Sequence, residues 1–152
     1  DDAEPIEALL RNVIATSCLS ETAAVALIGA ERLRMPEGAL RTLISRIYGD
    51  EVGHARFGWA LLAELAPTLT VSTRARLSDY LAVAFAHFEA HELAHLPARY
   101  RPPTAGHALG LCSGSDARAL LYDAVATVMI PGLAAAGLDA ERAWRLRHRA
   151  AA

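Results

Sequence analysis

The chain has 152 residues, 53% hydrophobic and 21% charged, a length that fits one domain and a composition that excludes a disordered chain. A net charge of −2 without blocks of like charge leaves no footprint for nucleic acid or a membrane surface. No signal peptide or membrane-length apolar run is read from the sequence. Cys18 and Cys112 can pair or stay free, so the redox compartment stays open, with the cytoplasm as the default expectation.

Pro5 opens a first helix whose apolar periodicity runs to about Leu33. Met35-Pro36 breaks it, and Pro36 suits the first position of a second helix ending near Leu65, before Pro67. Ser72 or Thr73 is the expected cap of a third helix over 72–96, closed by Pro97. Residues 99–115 read as a loop rich in Gly and Pro. Ser115 or Asp116 starts a fourth helix expected to end near Ile130-Pro131-Gly132, and Asp139 caps a short fifth. Arg142, Arg145, Arg147 and Arg149 gather in that last helix, where a solvated C-terminus favours them. No stretch alternates long enough for a strand. The expected fold is all-α, an antiparallel helical bundle over 1–152, with a hairpin at 5–66 and further helices at 72–96 and 115–150.

The second helix carries charge on its apolar line. Leu40, Leu43, Ile44, Ile47, Glu51, His54, Gly58, Leu61, Leu62 and Leu65 follow at steps of three and four, one face of a helix. Arg41, Arg46, Asp50 and Arg56 mostly fall off that line. A carboxylate buried there needs a compensating partner. A metal ion is one, since Glu-x-x-His sets a carboxylate and an imidazole one turn apart. On the first helix the line Ile14, Ser17, Cys18, Glu21, Ala24, Val25, Ile28 holds a further Glu. Glu21 and Glu51 each lie 15 residues from Pro36, so in an antiparallel hairpin both sit ~22 Å from the turn and face each other. The competing reading is a core ion pair, with Arg11, Arg46 or Tyr48 satisfying these groups.

At these residues the chain resembles a known family. SCLSETAAVALIGAERL and RTLISRIYGDEVGHARFGWALL are similar to the second half of bacterial ferritin-like proteins, which bind two metals with a Glu and a Glu-x-x-His from each of two helical hairpins. The likeness is strongest over 5–66, and MIPGLAAAGLDAERAWRLR resembles the C-terminal part of some members more loosely. It implies Glu21 as a bridging carboxylate and Glu51 and His54 as the pair on the next helix, with Asp50 and Tyr48 as neighbours that tune them. It implies iron, with manganese or zinc suited to the same ligands, and an O2-dependent oxidase or oxygenase chemistry. These residues supply half of such a site. The other half is expected from a second copy in a homo-oligomer, from a second chain or a removed fragment, or from later residues of this chain.

The later candidates are Glu92 and His95, another Glu-x-x-His on the line Leu77, Leu81, Ala84, Phe85, Phe88, Glu92, His95. Counted from the turn near Leu69 they miss the level of Glu51 by ~7.5 Å. His91-Glu92-Leu93-Ala94-His95 also spells the zinc-helix pattern H-E-x-x-H, which lacks a third ligand and a substrate strand. His87, His91 and Glu89 read as a polar helix face. Cys18 reads as core, and Trp59 as packing. The alternative function is a non-catalytic helical binding or structural module with ion-paired Glu and His.

Overall fold

The computed structural model describes residues 4–150, so residues 1–3 and 151–152 of the expected domain lie outside the described residues. Helices α1 (Pro5–Arg34) and α2 (Ala39–Leu65) form the first hairpin, followed by α3 (Val71–His95), the single turn α4 (Thr104–His107), α5 (Gly114–Ala135) and α6 (Ala140–Ala150). The fold is an all-helical bundle, with no strand among the described residues.

Local chemistry explains most boundaries. Pro5 occupies the first turn of α1, where a missing N–H costs nothing. Pro36 does not open α2: it stays in the turn, and the helix begins after Gly38, whose extended backbone leads the chain in. Thr70, rather than Ser72 or Thr73, caps α3 by accepting from the Thr73 N–H at 3.1 Å. Ser113 does the same for α5, accepting from Asp116 N–H at 3.1 Å. Asp139 accepts from Arg142 N–H at 3.4 Å at the start of α6.

Two helices contain π stretches, Ile14–Ser20 in α1 and Val125–Met129 in α5. The second carries α5 past the expected stop at Pro131: the wider turns end where Ile130 and Pro131 begin a new first turn, which tolerates proline. Both α1 and α5 are long and apolar enough to cross a membrane by length and composition, with 18-residue windows of mean hydropathy 1.6 and 1.3. This corrects the sequence expectation, since Glu21 is the only charge between Val13 and Ala30. Both helices also pack within the bundle, through Leu10, Ile14, Cys18, Leu121, Val125 and Met129.

Helix α1 pairs antiparallel with α2: Ser17 meets Gly58 and, further along, Gly29 meets Tyr48. A methyl group at Gly58 would lie 2.2 Å from Ser17 Cβ and 3.2 Å from its carbonyl carbon, so glycine sets how closely the helices approach. The N-terminal half of α1 packs on α3, its C-terminal half on α5, and α6 lies along α3. Leu77, Leu81, Phe85 and Phe88 fill the centre, each contributing about 1.5–3 kcal/mol by burial. Phe85 meets Trp144 of α6 edge to face at 5.2 Å between ring centres.

Two carboxylates are buried in this core, and neither was expected there. Glu7 accepts from Arg11 and Arg76, both at 2.6 Å. The Arg76 hydrogen bond lowers its pKa, burial opposes, and the two guanidinium charges add to the lowering. Glu89, read from sequence as part of a polar face, is buried: it accepts from Arg147 at 2.8 and 3.0 Å and from Tyr122 at 2.9 Å. The buried stripe of α3 turns toward Glu89 because α6 covers that side. Arg147 accordingly is not solvated; only 14% of its side chain is exposed, and it stacks over Trp144 at 3.6 Å.

Burial pushes the Glu89 carboxyl up, but the Arg147 and Tyr122 hydrogen bonds, helped by the Arg147 and His148 charges, leave it below its ordinary 4.5. A lowered folded-state pKa means the pair stabilises fully above the ordinary value, and that contribution is lost as pH falls through the lower one. Arg147→Met is expected to cost about 2–3 kcal/mol in urea unfolding at pH 7. The cost should shrink when the titration is repeated below the ordinary glutamate range. Gly58→Ala is expected to cost about 1–3 kcal/mol by overpacking, with partial recovery in the Ser17→Gly, Gly58→Ala double variant.

Candidate metal centre

The hairpin brings together one group of potential ligands. An oxygen of Glu21, an oxygen of Glu51 and a ring nitrogen of His54 all lie within 4.8 Å of one another. The equal spacing from Pro36 puts Glu21 and Glu51 at one level, and the three-residue step adds His54 on the same side.

The π stretch Ile14–Ser20 ends immediately before Glu21. Ser20 Oγ donates to the carbonyl of Ala15, five residues back, at 3.2 Å. The wider turns rotate Glu21 off the line of Ile14 and Cys18. Those two are fully buried, while Glu21 is half-buried between α1 and α2. Single π turns inside α-helices recur at functional sites.

The site is more open than the apolar stripe predicts. Glu51 is 23% and His54 62% exposed, and Leu40 and Leu43, two to three turns earlier on the same helix, are exposed as well. The stripe on α2 is therefore split: Gly58, Leu61, Leu62 and Leu65 pack into or against the core, whereas its first half from Leu40 lies more open. Asp50 is exposed, and Tyr48 packs on Gly29 and under Arg32, 4.6 Å from ring centre to guanidinium. Neither makes a side-chain hydrogen bond to the ligands among the described residues.

The ion-pair partners expected from sequence are engaged elsewhere or solvated. Arg11 holds Glu7, and Arg46 is exposed. Glu51 has His54 Nδ1 at 3.4 Å, and its other neighbour is a second carboxylate. The hydrogen bond between Glu21 and Glu51 raises the Glu21 pKa, with burial and the Glu51 charge adding and His54 opposing. The same bond lowers Glu51, against burial and with help from His54. Two carboxylates this close favour a shared proton or a nearby cation over two free charges.

The donor set fits a cation. Ligand atoms on one ion at ~2.0–2.2 Å lie at most ~4.4 Å apart, close to the separation found. Carboxylate and imidazole suit iron, manganese and zinc. Three protein ligands on one ion would leave coordination positions open.

The other candidates do not join this group. Among the described residues Glu92 is half-buried and His95 exposed, and neither belongs to a set of three ligands. The rings of His91 and His95 stack edge to face at 4.9 Å, on a helix with no strand near for the zinc-protease reading. Cys18 is a free core thiol that burial pushes up to about 12, and Cys112 is also free. Trp59 donates to Thr22 Oγ1 at 3.1 Å and packs its ring on Gly132. Beside that pair, Thr22, Val25, Val52, Ala55 and Leu120 line a largely apolar cleft of about 380 Å³, which sequence periodicity did not reveal because α5 forms one wall.

Comparison with protein families, curated proteins and solved structures gives no match to this chain. Glu21→Gln is expected to leave the metal-free protein as stable or more so, by up to about 1 kcal/mol. An amide can donate to Glu51 without sharing a proton. Thermal unfolding with and without added Mn(II) checks this: the variant should lose the metal-dependent rise in midpoint.

Proposed function

We propose that this chain is a metal-binding protein of ferritin-like type, with Glu21, Glu51 and His54 as its ligands. What carries the reading is the contact between two carboxylates beside an imidazole, on a helical face left open. Glu51 and His54 would hold one ion, with Glu21 close enough to share it. Iron is the metal this reading favours, and manganese or zinc suit the same donors.

Iron bound by carboxylates with open positions supplies dioxygen activation, so the activity proposed is that of a di-iron oxidase or oxygenase. The residues of the chain bind and orient the ions. The Glu21 and Glu51 charges balance the cation, and His54, largely exposed, is free to turn its ring. The alternative, a non-catalytic module with ion-paired Glu and His, has the Glu51–His54 pair at 3.4 Å in its favour, but it leaves Glu21 beside Glu51 without a cationic partner of its own.

Elemental analysis after anaerobic Fe(II) loading tests the reading. About one iron per chain is expected, and Glu51→Ala should lose it while the helical circular-dichroism signal survives, because Glu51 supports no core contact. Wild-type protein that takes up no iron, manganese or zinc would sink the proposal. Oxygen uptake by the iron-loaded protein, absent in Glu51→Ala, separates an oxidase from a passive metal binder.

A further inference from the structure

Of the 6 histidines in the chain, His87, His91 and His95 recur at four-residue steps on α3. Steps of four keep them on one face of the helix. All three are exposed, so this face is not core. From Leu77 to Ala98 the sequence has no arginine or lysine, and its charged residues are Asp79, Glu89 and Glu92. His91 and His95 also occupy the last turn of α3, where the helix dipole favours positive charge.

We propose that His91 and His95 form a separate metal site, a two-imidazole clamp for a borderline divalent cation: Cu(II), Zn(II) or Ni(II). It shares no residue with the Glu21, Glu51 and His54 group and does not depend on that reading. Geometry carries it. A metal ~2.0–2.1 Å from a ring nitrogen lies ~3.2 Å from the ring centre, so two rings on one ion at about 90–109° have centres ~4.5–5.2 Å apart. The ring centres of His91 and His95 are 4.9 Å apart, with the planes crossed at 68° rather than stacked face to face. Exposed rings can each turn a nitrogen toward the same point. His87 lies ~12 Å from His95 along the helix axis, too far to share an ion with it. It borders instead the cavity that Ser20 and Tyr80 line. Glu92 is half-buried, and among the described residues it forms no three-ligand group with the two imidazoles. Water would complete the coordination, which makes this an exchangeable site and not the three-ligand centre of a zinc hydrolase. Imidazole donors without carboxylate suit copper, zinc and nickel, whereas the carboxylates of the hairpin suit iron and manganese. The chain thereby offers two donor sets to two classes of metal.

The test uses Cu(II) as probe on the full chain, since copper binds such donors most tightly in the divalent series. Electron paramagnetic resonance should show Cu(II) coupled to two imidazole nitrogens. The signal should persist in Glu51→Ala, which removes a ligand of the hairpin group. His91→Asn and His95→Asn should each reduce the coupling to one nitrogen. Each should also weaken Cu(II) binding about tenfold or more, because the second donor is no longer held within reach. Both side chains are exposed, so the helical circular-dichroism signal should survive in either variant. His87→Asn should leave the affinity unchanged. Affinity untouched by both His91→Asn and His95→Asn overturns the clamp. A signal lost in His87→Asn but kept in His95→Asn places the ion a turn earlier and overturns it too. Copper lost in Glu51→Ala and kept in His95→Asn belongs to the hairpin carboxylates, and the clamp fails while the hairpin reading stands. Wild-type protein that binds no Cu(II) also overturns the clamp, and the Fe(II) loading experiment decides the hairpin reading separately.

Discussion

Two helices approach only as closely as the side chains between them allow, and in this chain the limit is set where Ser17 meets Gly58. A methyl group on Gly58 would collide with the Ser17 side chain and crowd its backbone. At the same height α1 departs from regular helix into a π stretch. Close approach and wider turns together fix the register of α1 on α2. Everything that faces across the hairpin follows from that register: Tyr48 on Gly29, Trp59 on Thr22, and Glu21 on Glu51. A shift of one residue would rotate Glu21 by about 100° around its helix axis and separate it from Glu51 and His54.

The same chain handles its carboxylates in two opposite ways. Glu7 and Glu89 are buried and fully answered by guanidinium groups, Glu7 by Arg11 and Arg76, and Glu89 by Arg147 with Tyr122. Both are held ionised below their ordinary range, and both tie distant parts of the sequence together. Glu21 and Glu51 have no such answer. They meet each other, one pushed up and the other down, on a surface with every chance to be solvated. Arginines are not scarce in this chain, yet among the described residues the ion pair at this position is the one from His54 to Glu51. Unpaired like charges cost stability, and sites that bind ions carry that cost in the unbound state.

Periodicity and punctuation made the helices legible. Pro5, Pro36 and Pro67 bracket the hairpin, and the matched spacing of Glu21 and Glu51 about Pro36 was enough to bring their side chains together. What periodicity of 3.6 could not show was any place where the helix is not 3.6-periodic. Glu21 left the line of Cys18, and α5 continued past Pro131, both because of π stretches. Partner choice was equally hidden. Glu89 and Arg147 are 58 residues apart, and nothing local distinguishes Glu89 from its exposed neighbours His87 and Ala90. The one available signal was Trp144 three residues before Arg147, an aromatic in a basic helix that marks a buried side. The apolar line of α2 misled in the other direction: an amphipathic stripe states that a face prefers cover, and not that this chain supplies it.

That last distinction bears on how the fold and the site depend on each other. The core draws on α2 mainly through Leu62 and its neighbours, past the stretch that carries Glu51 and His54. Leu77, Leu81, Phe85 and Phe88 with α6 and the inner half of α1 close a hydrophobic centre on one side of the hairpin. Stability is therefore concentrated away from Glu51 and His54, which stand on a helix held mainly by its contact with α1. A ligand set on a rigid hairpin needs no core contacts of its own, and changes to it should leave the fold intact. Gly58 and the π stretch set the level at which Glu21 meets Glu51 and His54. The fold thus separates the contacts that keep the chain folded from the Glu21–Glu51–His54 cluster, with the α1–α2 register as the element common to both.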